Sequence, residues 1–369
     1  MTLKIKKITV LTIISLVFLS GRIISKSAEK SELQKNNIRK LSISVFPILM
    51  YDSDIGFGFG GKGVVKNHFK KNESFDLMLF GSTKGEQRYA FVFSIPDFEI
   101  RQGTYYPLAF DMKIEYNKLL KSNFFGFGND SEDNDFQFPR EVTRLELTLS
   151  HTFTPRLVGE IWLRHNHYSV YDYDPNWEII TARTPGVGET EVTAGSLRLR
   201  YDSRNSQIHP RKGVKIDLQG EAGFPVFTPK WNFNKLHLEC STYTQLFSKN
   251  HILALRYWMQ HITGDAPYFE MSLLGGGWTL RGYKADRFVD NTMALVSMEY
   301  RFPIIRKLGG VLFIDSGRVW PSLNDFSLTG WHQNVGVGLR YYLVNFVARF
   351  DLGYSTEGTR IFFNFGHVF

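Results

Sequence analysis

The sequence contains a single cysteine, Cys240, among 369 residues. One cysteine excludes a disulfide within the chain and any metal site built from several cysteines. The glycine-rich phosphate loop and the Gly-x-Ser-x-Gly turn of many hydrolases are also absent from the sequence. Hydrophobic residues make up 43%, a share typical of soluble proteins. Helical membrane spans are therefore not the source of any membrane character.

The charge balance is basic, with a net charge of +8 and a pI near 9.3. Lys4, Lys6 and Lys7 account for part of the excess, and the remaining cations are spread along the chain. A dispersed excess does not indicate nucleic-acid binding. Aromatic residues are frequent at 15%, with 32 Phe and 17 Tyr, as in the aromatic girdles of outer-membrane barrels.

The N-terminal residues 1–27 have the pattern of an export signal. The three lysines precede an apolar run at 8–19, which is short for a spanning helix of about 20 residues. We expect cleavage within 20–29, followed by a short polar periplasmic segment at 28–40. An uncleaved anchor is the alternative. Residues 41–369 are predicted to form one outer-membrane domain.

Apolar and polar residues alternate along most of this domain. In TAGSLRLRYDSR, for example, Leu197, Leu199 and Tyr201 share one face, and Arg198 and Arg200 lie on the other. A period of two with charges on one face is typical of a strand with lipid outside and water inside. A soluble β-sandwich produces the same alternation with its faces reversed. The export signal and the terminal Phe favour the barrel.

The alternating runs predict an all-β transmembrane barrel of about sixteen antiparallel strands. They lie at 41–51, 55–66, 74–83, 86–97, 105–117, 140–153, 156–170, 192–203, 211–222, 231–246, 250–263, 292–302, 309–319, 332–343, 346–355 and 360–369. Gaps after even-numbered strands are mostly short, whereas the long gaps follow odd-numbered strands. That asymmetry is expected when both ends of the barrel sequence are periplasmic.

Five stretches in order resemble the outer-membrane-protein-85 superfamily, in the BamA/TamA-like branch with the bacterial surface antigen domain. They are PILMYDSDIGFGFGG (47–61), FFGFGND (124–130), RYDSRNSQIHPRKG (200–213), GGGWTLRGY (275–283) and FIDSGRVW (313–320). The resemblance covers 41–369. Because 28–40 is too short for a periplasmic client-binding (POTRA) domain, we expect a barrel-only member.

The resemblance implies a latch inside the barrel. In the family, the sixth extracellular loop folds into the lumen and plugs it, and an Arg at its tip pairs with an Asp on the thirteenth strand and lies near a Glu on the twelfth. These positions correspond to Arg281, Asp315 and Glu299. We expect Gly282 to allow a tight turn at the tip and Tyr283 to pack against the wall.

Two further features are predicted to be structural. Asp202, Arg204, Pro210 and Gly213 resemble a periplasmic turn of the family, in which Pro and Gly restrict the backbone and the charges cap it. Ile361, Phe363, Phe365 and Phe369 are predicted to share the lipid-facing side of the last strand. The resemblance implies that Phe363, Phe365 and Phe369 form the assembly signal.

The resemblance also implies a weak seam between the first and last strands. Pro47 in the first strand cannot donate a ladder hydrogen bond, so we predict that 41–51 and 360–369 pair over a short length.

No metal or cofactor is predicted. His165 and His167 are two residues apart, which suits two ligands on one strand face, but no third ligand is nearby. The acidic run at 129–135 is more typical of a solvated loop than of a Ca²⁺ site.

Three functions remain open at this stage. The first is assistance of protein or lipid insertion or translocation at the outer membrane. The second is a passive pore or structural surface antigen, and the third is a hydrolase at the barrel rim. We expect the first, without enzyme activity, in the outer membrane of a Gram-negative-type bacterium. Expected partners are lipopolysaccharide, phospholipid and separate periplasmic or outer-membrane proteins, and no nucleic acid.

Overall fold

The computed structural model describes residues 41–133, 136–174, 176–177, 184–225, 231–343 and 346–369. The predicted signal peptide and the polar segment 28–40 lie outside these described residues. In chain order, the strands are β1 (Ser42–Asp52), β2 (Gly56–Lys66), β3 (Ser74–Ser82), β4 (Gln87–Ile95), β5 (Ala109–Asn123), β6 (Gln137–Thr154), β7 (Leu157–Val170), β8 (Gly188–Asp202), β9 (Gly213–Gly223), β10 (Asn232–Gln245), β11 (Ile252–Asp265), β12 (Ser272–Leu274), β13 (Phe288–Asp290), β14 (Thr292–Ile305), β15 (Leu308–Trp320), β16 (His332–Tyr342), β17 (Val347–Ser355) and β18 (Gly358–Phe365).

Helical structure in the described part is limited to one α-helical turn, α1 (Phe98–Arg101), and two 3-10 turns at Tyr268–Glu270 and Leu323–Asp325. No helix within the described ranges has the length and apolar character needed to cross a membrane.

Sixteen of the described strands close into one antiparallel barrel, which confirms the predicted fold. The other two, β12 and β13, pair with each other in the connection between β11 and β14. One end of the barrel carries short turns such as 155–156 and 306–307, and we call it the short-turn end. The opposite, long-loop end carries the connections 124–136, 171–187 and 266–291.

The distribution of side chains separates this barrel from a soluble sandwich. Leu197 and Leu199 on the outer wall are 66% and 48% exposed, whereas Asp217 on the neighbouring strand is fully buried. Inside the wall, Arg198 forms an ion pair with Asp217. An extended apolar outer surface around a charged interior indicates contact with lipid.

Most strand boundaries lie within a few residues of those predicted, and β5 differs most. It begins at Ala109 because Pro107 and α1 precede it, and it continues to Asn123. The alternating pattern had predicted 105–117. Strands here extend beyond the bilayer: β6 has 18 residues, whereas about 9–11 residues cross a membrane.

The seam between β1 and β18 is short, as predicted. Its ladder consists of two residue pairs, Tyr51↔Phe363 and Asp52↔Phe362. On its other side, β1 pairs with β2 over its whole length. Pro47 lies outside the paired part of the seam, so most of this edge of β1 has no strand partner in the described barrel.

The end of the last strand differs from the prediction. β18 stops at Phe365, and Gly366 has a φ of +86°, which turns the chain. Phe369 then lies inside the barrel, 6.5 Å from the Tyr243 ring and 5.5 Å from the Arg301 guanidinium. The prediction that Phe369 faces lipid is therefore wrong, because a left-handed glycine redirects the tail and a cation attracts the aromatic ring.

Candidate functional site

Residues 266–291, which we call the lumen loop, connect β11 to β14 and contact the inner face of the barrel. Leu274, Leu280 and Tyr283 of this loop are buried in an apolar cluster with Leu295 and Val319, which face inward from β14 and β15. The Tyr283 hydroxyl donates to the Gln333 carbonyl oxygen at 3.2 Å. Tyr283 thus lies where the sequence placed it, against the wall.

The structure brings Arg281, Asp315 and Glu299 together. Arg281 Nε and Nη2 each lie 2.8 Å from a different oxygen of Asp315, a bidentate pair. Arg281 Nη1 lies 2.6 Å from Glu299 Oε1, and the guanidinium stacks 3.5 Å from the centre of the Phe313 ring. All three charged side chains are fully buried. A planar guanidinium suits this geometry because it serves two carboxylates at once.

Further charges that the sequence analysis missed complete this site. Asp351 on β17 lies 3.5 Å from Arg281 Nη1, and Arg340 bridges Asp351 and Glu299. The members, which we call the Arg281 cluster, are Arg281, Arg301, Arg340, Arg349, Glu299, Asp315 and Asp351. Alternation in VARFDLGY was the available signal, because it places Arg349 and Asp351 on the inward face.

The electrostatics of the Arg281 cluster favour the charged state. Burial opposes the charge on Arg281, but Asp315 and Glu299 outweigh burial and raise the pKa of the guanidinium above its ordinary value. Removing one member of such a buried group leaves the others uncompensated, which typically costs about 3–5 kcal/mol. The cluster therefore holds the loop tip most firmly when its charges remain paired.

Two glycines allow the loop tip to lie directly on the wall. A Cβ at Gly282 would stand 2.6 Å from Asn334 Cβ and 2.8 Å from Ser355 Cβ, and one at Gly353 would stand 2.2 Å from the Arg281 carbonyl oxygen. Gly282 is not among the glycines with positive φ. We expected a tight turn to require Gly282, whereas the structure gives close backbone approach as the reason.

A second contact of the lumen loop lies on another part of the wall, on β7 and β10, and we call it the Glu270 anchor. Arg164 donates to both oxygens of Glu270 at 2.7 Å, and Lys235 Nζ lies 2.9 Å away. The Tyr168 hydroxyl adds a hydrogen bond at 2.7 Å. Burial would raise the pKa of Glu270, yet Arg164 and Lys235 hold it well below its usual range. The sequence did not predict this anchor, although alternation places Arg164 on the strand face opposite to His165 and His167.

The lumen loop also contacts the long-loop end of the seam. Asp54, in the β1–β2 turn, accepts a hydrogen bond from the Ala285 backbone at 2.8 Å and forms an ion pair with Arg360 of β18 at 2.9 Å. Ser53 Oγ accepts from the Ile361 backbone at 3.0 Å. One carboxylate thus joins β1, β18 and the lumen loop.

The FFGFGND stretch covers the lumen loop from the long-loop end. The Gly128 backbone donates to the Val289 carbonyl at 2.8 Å, and Lys284 Nζ lies 2.7 Å from Asp133, which follows the stretch. The structure therefore gives this motif a packing role over the loop.

The predicted turn residues lie together at the short-turn end, in the connection from β8 to β9. Arg204 Nη2 lies 2.7 Å from Asp202, and the Arg204 backbone also donates to that carboxylate. Gly213 has a φ of +112° and approaches the Ser203 carbonyl closely, while Pro210 is buried.

Comparisons with known proteins concern the family and the fold of this chain. A family model described as the Omp85 superfamily domain matches residues 67–369. Outer membrane protein assembly factor BamA of Nitratidesulfovibrio vulgaris is 26% identical over 333 residues, which cover 84% of this chain but only 39% of that relative.

Solved structures share the fold. BamA from Haemophilus ducreyi lacking POTRA domains 1-3 gives a TM-score of 0.66 at 14% identity, covering 88% of this chain and 70% of that chain. CdiB from Escherichia coli gives a TM-score of 0.61 at 13% identity, covering 88% and 66%.

Proposed function

Because this chain belongs to the Omp85 superfamily, a family of barrels in the outer membrane of Gram-negative bacteria, we propose that it assists the insertion or translocation of proteins or lipids there. The matched relative is named an assembly factor, and we propose that this chain likewise acts without catalysing a covalent reaction. In this proposal the long-loop end faces the outside of the cell, and the seam between β1 and β18 is the part that opens.

The short seam is the observation that carries the proposal. Two ladder pairs and the contacts of Ser53 and Asp54 join β1 to β18. Since a hydrogen bond contributes about 0.5–1.5 kcal/mol net, opening this seam costs on the order of a few kcal/mol. Opening β1 from β2 would break a ladder that runs from Ser42↔Lys66 to Asp52↔Gly56.

The unpaired edge of β1 offers backbone hydrogen-bonding groups with which a client strand could pair. Backbone N–H and C=O groups without partners are costly in lipid, so an edge in the membrane favours pairing with another strand. Addition of an extended segment would satisfy those groups by main-chain hydrogen bonds. The proposed client is therefore a chain that arrives as a β-strand.

The lumen loop holds the barrel in a closed state. The Arg281 cluster and the Glu270 anchor attach the loop to two separate parts of the wall, and Asp54 connects it to the seam. We propose that the loop plugs the lumen and that its release accompanies opening of the seam. A passive pore, by contrast, would conduct ions with the loop in place.

A disulfide across the seam tests this function. In a Cys240→Ser background, Tyr51→Cys with Phe363→Cys places two thiols at directly paired positions, where Cβ atoms are about 4.5–5.5 Å apart. The measurement is the folding of a urea-unfolded small barrel protein into proteoliposomes, followed by its heat-modifiability in gels. We expect the oxidised protein to lose its effect and a reductant to restore it.

The matched control places the disulfide in a strand pair away from the seam. Val335→Cys with Tyr354→Cys pairs β16 with β17 on the outer face and should leave the folding rate unchanged. Single-channel conductance of the same samples separates the passive pore. An oxidised seam that still accelerates client folding, or a high conductance of the wild-type protein, contradicts the proposal.

A further inference from the structure

A cavity of about 220 Å³ lies at the short-turn end, and we call it the rim cavity. The turns 203–212, 246–251 and 306–307 and the tail that follows β18 contribute to it. Its basic lining consists of Arg211, Arg301, Arg306, Lys307, His209 and His367. No Asp or Glu is among the described residues that line the cavity. A concave site with this charge balance attracts anions.

Buried polar atoms without hydrogen-bond partners also indicate an anion site. Arg301 is 1% exposed, and its Nη1 has no hydrogen-bond partner. Its Nε donates to Glu299, and its Nη2 donates to the Phe369 carbonyl oxygen. The Nδ1 atoms of His209 and His367 are also unpartnered. Since the unpaired buried donor of Arg301 is destabilising, a ligand with acceptor oxygens is favoured here, and each Nδ1 becomes a further donor when its ring is protonated.

We propose that the rim cavity binds the phosphate group of a lipid from the periplasmic leaflet of the outer membrane. The surrounding surface favours a lipid over a free anion. Ile304 and Ile305, which directly precede Arg306, are 51% and 62% exposed, and Phe247 in the adjacent turn is 86% exposed. Apolar side chains beside a basic rim match acyl chains beside a phosphate. The assignment rests on the orientation proposed above, but not on client insertion.

The two histidines make this binding pH-dependent. His209 Nε2 lies 2.9 Å from the Leu343 carbonyl oxygen, so Nε2 carries the hydrogen and Nδ1 of the neutral ring has a lone pair. Burial lowers the pKa of His209 and holds that of His367 well below its ordinary value. The charged or titratable groups that face the two rings are Arg211, Arg301, Arg340, Glu299 and Tyr342. A bound phosphate raises both pKa values, so affinity should increase as the pH falls below 7.

The test uses the full chain in detergent and three probes: short-chain phosphatidylglycerol, the matching diacylglycerol and inorganic phosphate. Arg306→Gln with Lys307→Gln removes two cations from the rim. Lys70→Gln with Lys71→Gln is the matched control, because it removes the same charge from an exposed turn at the same end. We expect the rim pair to weaken phosphatidylglycerol binding about tenfold or more and the control pair to change it less than about twofold.

The outcomes separate the sources of the anion. Tighter binding of phosphatidylglycerol than of diacylglycerol, weakened by salt and by a rise in pH, supports the proposal. Equal binding of diacylglycerol, or wild-type affinity of a rim variant that retains heat-modifiability, overturns it. Inorganic phosphate that binds as tightly as the lipid would refute the lipid assignment. The salt and pH dependences of the wild-type protein test the proposal even where a variant fails to fold.

Discussion

Replacing Arg281 by alanine would remove the side chain that joins the lumen loop to three carboxylates. The guanidinium lies 2.8 Å from Asp315, 2.6 Å from Glu299 and 3.5 Å from Asp351, and the four side chains are fully buried. In Arg281→Ala, Asp315 would keep only the Asn334 amide, at 3.0 Å, among its described side-chain partners. Glu299 would retain Arg301 and Arg340.

The magnitude follows from breaking a buried ion pair, about 3–5 kcal/mol. At 1.4 kcal/mol per factor of ten, the equilibrium between the seated and the released loop tip shifts by about a hundredfold to several thousandfold. Arg281→Lys should recover part of this, because one ammonium cannot bind Asp315 through two parallel hydrogen bonds. Glu299→Ala should loosen the loop less, since Arg281 keeps its bidentate pair.

The assay is trypsin cleavage at Lys284 and Arg287 in intact cells, together with single-channel conductance. Arg198→Ala is the control, because Arg198 is an inward-facing Arg whose ion pairs are with Asp217 and Glu160 of the wall. Cleavage and conductance should both rise for Arg281→Ala and stay at the wild-type level for the control. If Arg281→Ala resembles the wild type in both readouts, the latch reasoning is refuted.

Three further predictions concern the supports of the loop and seam. Glu270→Gln should lower the melting temperature, because Arg164 and Lys235 lose a charged partner. Since the pKa of Glu270 is depressed in the folded protein, the stabilisation by its carboxylate is present above about pH 4.5 and is lost as the pH falls through the lower folded pKa. A variant whose melting temperature depends on acid pH as in the wild type would contradict this. Asp54→Asn should speed hydrogen exchange in β1 and β18 without affecting β9 and β10, and equal rates in all four strands would count against the seam contact. Gly353→Ala should cost about 1–3 kcal/mol, because its Cβ would meet the Arg281 carbonyl at 2.2 Å; Gly63→Ala, with open space around its Cβ, is the control, and equal stability of the two variants would argue against the close approach.

Local patterns predicted the strands, and the export signal and the terminal Phe favoured a barrel over a sandwich. Alternation with a period of two places Glu299 on the inward face as soon as Val296 and Met298 are assigned to lipid, and the structure agrees. The pairing of Arg281 with Asp315 followed from a family resemblance. No sequence spacing predicts it, because the two residues meet only when a long loop folds back.

Contacts set by the whole fold were not predictable in the same way. Glu270 meets Arg164 from more than a hundred residues away, and Arg340 on β16 reaches Glu299 on β14 across the intervening strand β15. The direction of Phe369 depended on the backbone of one glycine, Gly366, and on cations contributed by β11 and β14. Periodicity places residues on a face, but it does not say which charged residues on that face will meet.

Crosslinking from the unpaired edge of β1 tests the central claim most directly. A photoreactive amino acid at Ile43, which is 68% exposed, lies on the part of β1 outside the seam ladder. One at Val337, 53% exposed on β16, is the control at a position paired on both sides. During export, Ile43 should form adducts with newly arriving outer-membrane proteins, and Val337 should not. Absence of adducts at Ile43, or equal adducts at both positions, would contradict a working seam.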